Sequence, residues 1–189
     1  MKAFQDSLGI SAVGINSLEA LAYSISQEGL VASIIDCKND NCYFALYQLK
    51  ASHYKEIIKP SADTIENALE AIAEKKAFYP DFTITFVGDA TSLYHDTIMA
   101  NFSNCVLTPS KNNLLNSYYL GLAGFDKFQE KKQEDLLPLY LKKPQAQRQL
   151  EEKSKDVNVL PMTKQDLEQI SSVLTTDFDE FWNSSVLED

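Results

Sequence analysis

Apolar positions along the chain fall into two repeats, a helical one and an alternating one, and their order predicts a layered α/β fold. Residues 2–8 carry a helical pattern of about two turns, too short to hold in water without a partner, and Gly9 is placed to close it. Residues 10–15 are apolar on both faces apart from Ser11, which predicts a buried strand. Asn16 and Glu19 have the spacing of a capping box, and Leu18, Leu21, Ala22 and Ile25 recur at i, i+3, i+4 and i+7. A helix over residues 17–26, ended near Gly29, follows. Residues 30–35 and 42–49 are strand-like runs separated by the turn formers Lys38, Asn39, Asp40 and Asn41, the pattern of a hairpin. Tyr43, Ala45, Tyr47 and Leu49 share one face of its second strand.

Past Pro60, Ser61 is expected to cap a helix whose Ile65, Ala68, Leu69 and Ile72 form a single stripe, with Lys75 and Lys76 suited to the negative end of its dipole. A strand over 82–87 ends at Gly88-Asp89, and a shorter helix over 91–99 and a strand over 105–107 come next. The longest helical run covers 114–128, with Leu115, Tyr118, Leu122 and Phe125 expected to face the core. The apolar run from Leu136 to Leu141 reads as a strand broken at Pro144. This succession predicts an α/β domain with a mixed sheet flanked by helices. Residues 151–156 are charged and lack large apolar side chains, as a linker would be. The remaining 157–189 offer one strand, one helix capped by Thr163, and Phe178, Phe181 and Trp182, too little to close a core alone.

Composition narrows the chemistry. The 189 residues are 44% hydrophobic with a formal net charge of -10, and Arg148 is the sole arginine, so no direct nucleic-acid binding is expected of a chain with so few clustered cations. Lys131, Lys132, Lys142 and Lys143 read with Arg148 as a solvated face. No apolar run approaches the roughly 20 residues that span a bilayer, so no membrane association is expected and the chain reads as cytoplasmic. Cys37, Cys42 and Cys105 read as reduced structural thiols rather than a redox pair, and His53 and His95, in loop or helix-edge contexts, do not complete a zinc site. Gly88-Asp89 reads as a strand-end turn rather than a phosphate cradle, and Asp36 as a turn cap rather than a cation ligand. No nucleophile elbow or paired-histidine motif is present, so no catalytic residue and no cofactor are assigned.

Several segments together resemble the TsaB family, the non-catalytic actin-like subunit of the bacterial machinery that makes threonylcarbamoyladenosine in tRNA. They are Gly14 to Ala22, Ile34-Ile35-Asp36 with Tyr43 and Tyr47 across the hairpin, Val87-Gly88-Asp89-Ala90, and Leu137 to Leu141 leading to Pro144 and Ala146. The resemblance implies an actin-like (RNase H-like) second lobe over residues 30–150, with the first lobe largely missing and represented by residues 1–29. It implies binding to a TsaD-type catalytic subunit, and admits a TsaE-type ATPase and a second copy of the chain as further partners. The surviving portion of the family's partner-binding helices is the segment from Ser17 to Ser26, where Glu19 and Tyr23 lie off the apolar stripe and become the candidate partner-binding residues. Residues 157–189 resemble the start of a RimI-type ribosomal-protein alanine N-acetyltransferase, through Leu160 to Thr163, Asp166-Leu167 and the closing aromatics. No glycine follows Gly124 to form that family's cofactor loop. The alternative reading is accordingly a fragment of a fusion between the two families.

Overall fold

A computed structural model describes residues 2–51, 53–130 and 136–142. The chain divides after Lys142, and all described residues belong to the first unit. The strand, helix and aromatics expected over 157–189 lie outside the described residues.

A short helix α1 (Lys2–Leu8) ends at Gly9, whose φ of 62° is the left-handed turn expected there. Helix α2 (Ser17–Ala22) follows, with the Asn16 side chain accepting from the Leu18 amide at 2.8 Å. Strands β1 (Gly29–Asp36), β2 (Asn41–Lys50) and β3 (His53–Thr64) then form an antiparallel meander. Helix α3 (Ile65–Lys76) leads to β4 (Ile84–Val87), which pairs parallel to β1. Helices α4 (Ala90–Leu93) and α5 (His95–Asn101) precede β5 (Cys105–Leu107), parallel to β4, and α6 (Ser117–Gln129) comes last. The sheet order is β3-β2-β1-β4-β5, so it is mixed, with the antiparallel meander at one side and the parallel pairs at the other.

Alternation along the central strands divides the core in two. Leu30, Ala32 and Ile34 of β1 meet Ile65, Ala68, Leu69 and Ile72 of α3, with Ile98 of α5 and Phe102 closing that layer. Val31, Ala45, Tyr47, Leu49 and Val87 point to the other face, where Leu18, Leu21, Ala22 and Ile25 cover them. The predicted stripes of α2 and α3 are therefore the buried ones. Ser33 also points away from α3, between the neighbouring strand positions Ala45 and Val87, and its buried hydroxyl has no hydrogen-bond partner.

Several elements depart from the pattern. Residues 10–15 form no strand; they pass beside α6 without regular structure, with Ile10 half exposed at 51%. Residues 136–142 form none either, and Leu137, Leu139 and Tyr140 are exposed. Both runs have strand composition, but a strand also needs a neighbour to satisfy its backbone groups, and neither run pairs with one among the described residues. Strand β3 went unrecognised because it lies at the sheet edge, polar and interrupted by Pro60, which weakens the strand signal. His53 accordingly opens a strand rather than sitting in a loop, and Ser61 pairs with Phe44 instead of capping α3. The cap is Thr64, whose Oγ1 accepts from the Asn67 amide at 3.3 Å. The helix expected over 91–99 is broken at Tyr94, whose φ of -107° and ψ of 27° leave the helical region.

Candidate partner-binding face

Two features of α2 set up this face. Its apolar stripe is spent on the sheet, so Glu19 and Tyr23 are left half-buried on the side where α6 packs. The Tyr23 hydroxyl donates to Asp126 Oδ2 at 3.1 Å, and its ring stacks on Tyr54 of β3, with centroids 4.0 Å apart and planes 20° from parallel. Tyr54 in turn donates to the Ile25 carbonyl at 2.6 Å. Burial, followed by the Asp126 carboxylate, pushes the Tyr23 phenol well above its ordinary range, and burial raises that of Tyr54 to about 12. On the other side of α6, Lys127 Nζ donates to the Gly14 carbonyl at 3.1 Å. Helix α6 is thus tied at its C-terminal half both to Tyr23 and to the 10–15 segment.

The orientation of α6 reverses the expectation from sequence. Ala123 is its buried residue, and the helix meets the 10–15 segment at Gly124, where an added Cβ would make ordinary contact, 3.7 Å from a Val13 methyl and 3.9 Å from Ile15. The large residues face out: Leu115, Tyr118, Leu122 and Phe125, expected in the core, are exposed, Tyr118 at 65% and Phe125 at 60%. Leu114 and Phe128 extend the same apolar surface. Beside it, a cavity of 510 Å³ runs from Leu115 past Leu139, Tyr140 and Leu141 to Ile35 and Tyr43 of the sheet. The one signal for this arrangement was the small pair Ala123-Gly124 within a run of large apolar residues, which marks the side of the helix that lies against the 10–15 segment.

The other sequence candidates have structural roles here. Gly88 has a φ of 117°, and a Cβ there would fall 1.9 Å from the Ile34 carbonyl oxygen, so the turn after β4 requires glycine for a close backbone crossing. Its amide donates to Asn113 Oδ1 at 3.0 Å. Asp89 accepts from the Asp36 amide at 2.9 Å, while Asp36 accepts from the Lys38 amide at 3.0 Å and pairs with its ammonium at 3.1 Å, capping the hairpin turn. The three cysteines are free, and burial lifts the Cys42 thiol to about 12. Among the described residues, no three His, Cys, Asp or Glu side chains gather where they would hold a metal ion, and no helix is long and apolar enough to cross a membrane.

A mixed five-stranded sheet flanked by helices, with the parallel strands to one side, defines an α/β protein of the actin-like class. A crystal structure from Pseudomonas aeruginosa, of an uncharacterized protein with similarity to the peptidase YeaZ, shares this fold at 22% identity and a TM-score of 0.54. The likeness covers 75% of this chain and 63% of that one, so the chain spans less than two thirds of its length. YeaZ from the same organism is 20% identical over 74% of this chain and 64% of its own, with a TM-score of 0.49, too loose a superposition to add to the first. No curated protein matches the chain. The family model of TsaD, tRNA N6-adenosine threonylcarbamoyltransferase, matches residues 1–150, and the chain belongs to that family.

Proposed function

We propose that the chain is a non-catalytic, TsaB-like subunit that supports threonylcarbamoyladenosine formation in tRNA by binding a TsaD-type catalytic subunit. The observation that carries this reading is the outward apolar face of α6, held by Tyr23 and Lys127 on a scaffold of the family's fold. A contiguous exposed patch of large apolar side chains on a soluble domain marks a surface meant to be covered. A TsaD-type subunit is the occupant that family membership supports, since the partner would be a relative of the same architecture. Tyr23 contributes by tying α6 through Asp126, with Glu19 one turn before it on α2.

The test is co-purification of the full chain with the TsaD-type subunit of the same organism. Association with a dissociation constant of about 1 μM or tighter is expected. Phe125→Asp puts a charge in the middle of the patch, and because burying such a side chain contributes about 1.5–3 kcal/mol, it is expected to weaken the complex at least about tenfold. Wild-type protein that stays separate from the catalytic subunit at that concentration overturns the reading. A symmetric assembly of two copies, or capture of a TsaE-type ATPase in place of the catalytic subunit, would reassign the face.

A further inference from the structure

The cavity of 510 Å³ beside α6 is walled by four separate parts of the chain: the residues entering α2, the ends of β1 and β2, the residues entering α6, and the 139–142 segment. Its volume lies within the roughly 300–1,000 Å³ of small-molecule sites. Ile15, Leu18, Ile35, Leu115, Leu139 and Leu141 make most of the wall aliphatic. Polar groups are few. Asn16 Oδ1 is committed to the Leu18 amide at 2.8 Å, and Ser17 and Tyr140 bring neutral hydroxyls.

One charged side chain, Lys142, lines the cavity among the described residues. Grouped by sequence with a solvated face, it is half-buried here, and its ammonium makes no hydrogen bond and no ion pair among the described residues. Its field reaches Asp63 of β3, but no ion pair closes between them, and Asp63 Oδ1 accepts instead from the Thr64 amide at 2.7 Å and from Asn67 Nδ2 at 2.9 Å. The other carboxylate at this end of the sheet, Asp36, is paired with Lys38. An ammonium set against an aliphatic wall gives up part of its hydration, and a bound anion restores the lost interaction. A dianion would call for a second cation in the wall, and a cationic ligand would meet repulsion. The lining therefore fits one negative charge at the end of an alkyl chain.

We infer that this cavity binds an aliphatic monocarboxylate, with its alkyl chain against Ile15, Leu18, Ile35 and Leu115 and its carboxylate on the Lys142 ammonium. The inference goes beyond the partner proposed above and does not depend on it, because binding is read on this chain alone.

Octanoate is the probe, hexanoate its shorter homologue, and octylammonium the control that keeps the tail and reverses the charge. Amide chemical shifts of the full chain, followed during titration, are expected to move saturably at Ile15, Ile35 and Leu115, with a dissociation constant for octanoate of about 1 mM or tighter. Hexanoate, with two fewer methylenes to bury, should bind at least about fivefold more weakly. Lys142→Gln alters a half-buried position at the end of the described chain, so it is expected to fold and to weaken octanoate binding at least about fivefold. Lys142→Arg keeps the charge and should stay within about threefold of the wild type. The inference is overturned if octanoate gives no saturable shifts at these residues, if octylammonium or hexanoate binds as tightly, or if Lys142→Gln binds unchanged.

Discussion

Asn113 shows how much can rest on one side chain that the sequence gives no reason to notice. It is 6% exposed; its Oδ1 accepts from the Gly88 amide and the Thr108 hydroxyl, and its Nδ2 donates to Thr91 Oγ1 at 2.7 Å. Thr91 Oγ1 in turn donates to the Gly88 carbonyl at 2.7 Å, and Thr108 Oγ1 also lies 3.0 Å from the Phe86 carbonyl, so its single proton is shared between that oxygen and Asn113 Oδ1. The segment after β5 is thereby fastened to the strained turn after β4. Asn113→Ala leaves several of these groups unsatisfied, each costing about 1–3 kcal/mol when buried. A loss of about 3 kcal/mol in urea unfolding is expected, and Asn113→Asp, which keeps the acceptor for Gly88, should recover part of it. The tyrosines around α2 make a second prediction at this scale. Tyr54 rises from 10.0 to about 12, first through burial and then through the charges of Asp126 and Tyr119. The unfolded chain releases this proton at a lower pH than the folded one, so the folded state binds more protons across that interval and stability falls as pH rises through it. Urea midpoints should decline between pH 10 and 12, and Tyr54→Phe should make the decline shallower.

At the scale of elements, the legible ones were those that bury a single periodic face against neighbours within the described fold. The Leu18–Ile25 and Ile65–Ile72 stripes and the β1–β2 hairpin were all readable because local period and tertiary burial agree there. Where a neighbour decides, sequence alone could not. Residues 10–15 and 136–141 have the composition of strands without a strand to pair with among the described residues, and β3 is a strand by virtue of pairing with β2 despite its polar sequence. Helix α6 was found, with its start placed a few residues early, but turned the wrong way, since a stripe of large apolar residues looks the same whether it meets a core or awaits a partner. The candidate face was legible only in part for the same reason: Glu19 and Tyr23 were readable as lying off the apolar stripe of α2, whereas the outward turn of Tyr118 and Phe125 was not. Because the outward residues add little to packing, the double change Leu122→Gln with Phe125→Gln should leave the melting temperature nearly unchanged, as surface substitutions do within about 0.5 kcal/mol. The same variant should bind less of a hydrophobic dye and self-associate less in light scattering. A large drop in melting temperature would mean that α6 packs through this face after all.

Across the whole molecule, the sheet is unequally clad. One face carries α3 and α5 over a continuous core, and the other carries the six-residue α2, with α6 resting against it. The net charge of -10 opposes non-specific clustering of a chain that bears an open apolar surface. The two borders of the sheet differ as well. β5 contributes three residues at one end, and at the other β3 presents Lys55, Lys59 and Pro60, with β2–β3 register shifts between Phe44 and Leu46 and between Leu46 and Tyr47. A border this short, or this charged and kinked, makes a poor template for a strand from another molecule. Behind β3, however, lies β2, whose Tyr43-Phe44-Ala45-Leu46-Tyr47 stretch is uncharged and suited to stacking into fibrils. The outermost strand therefore guards this stretch, and its detachment would open β2 to a strand from another molecule.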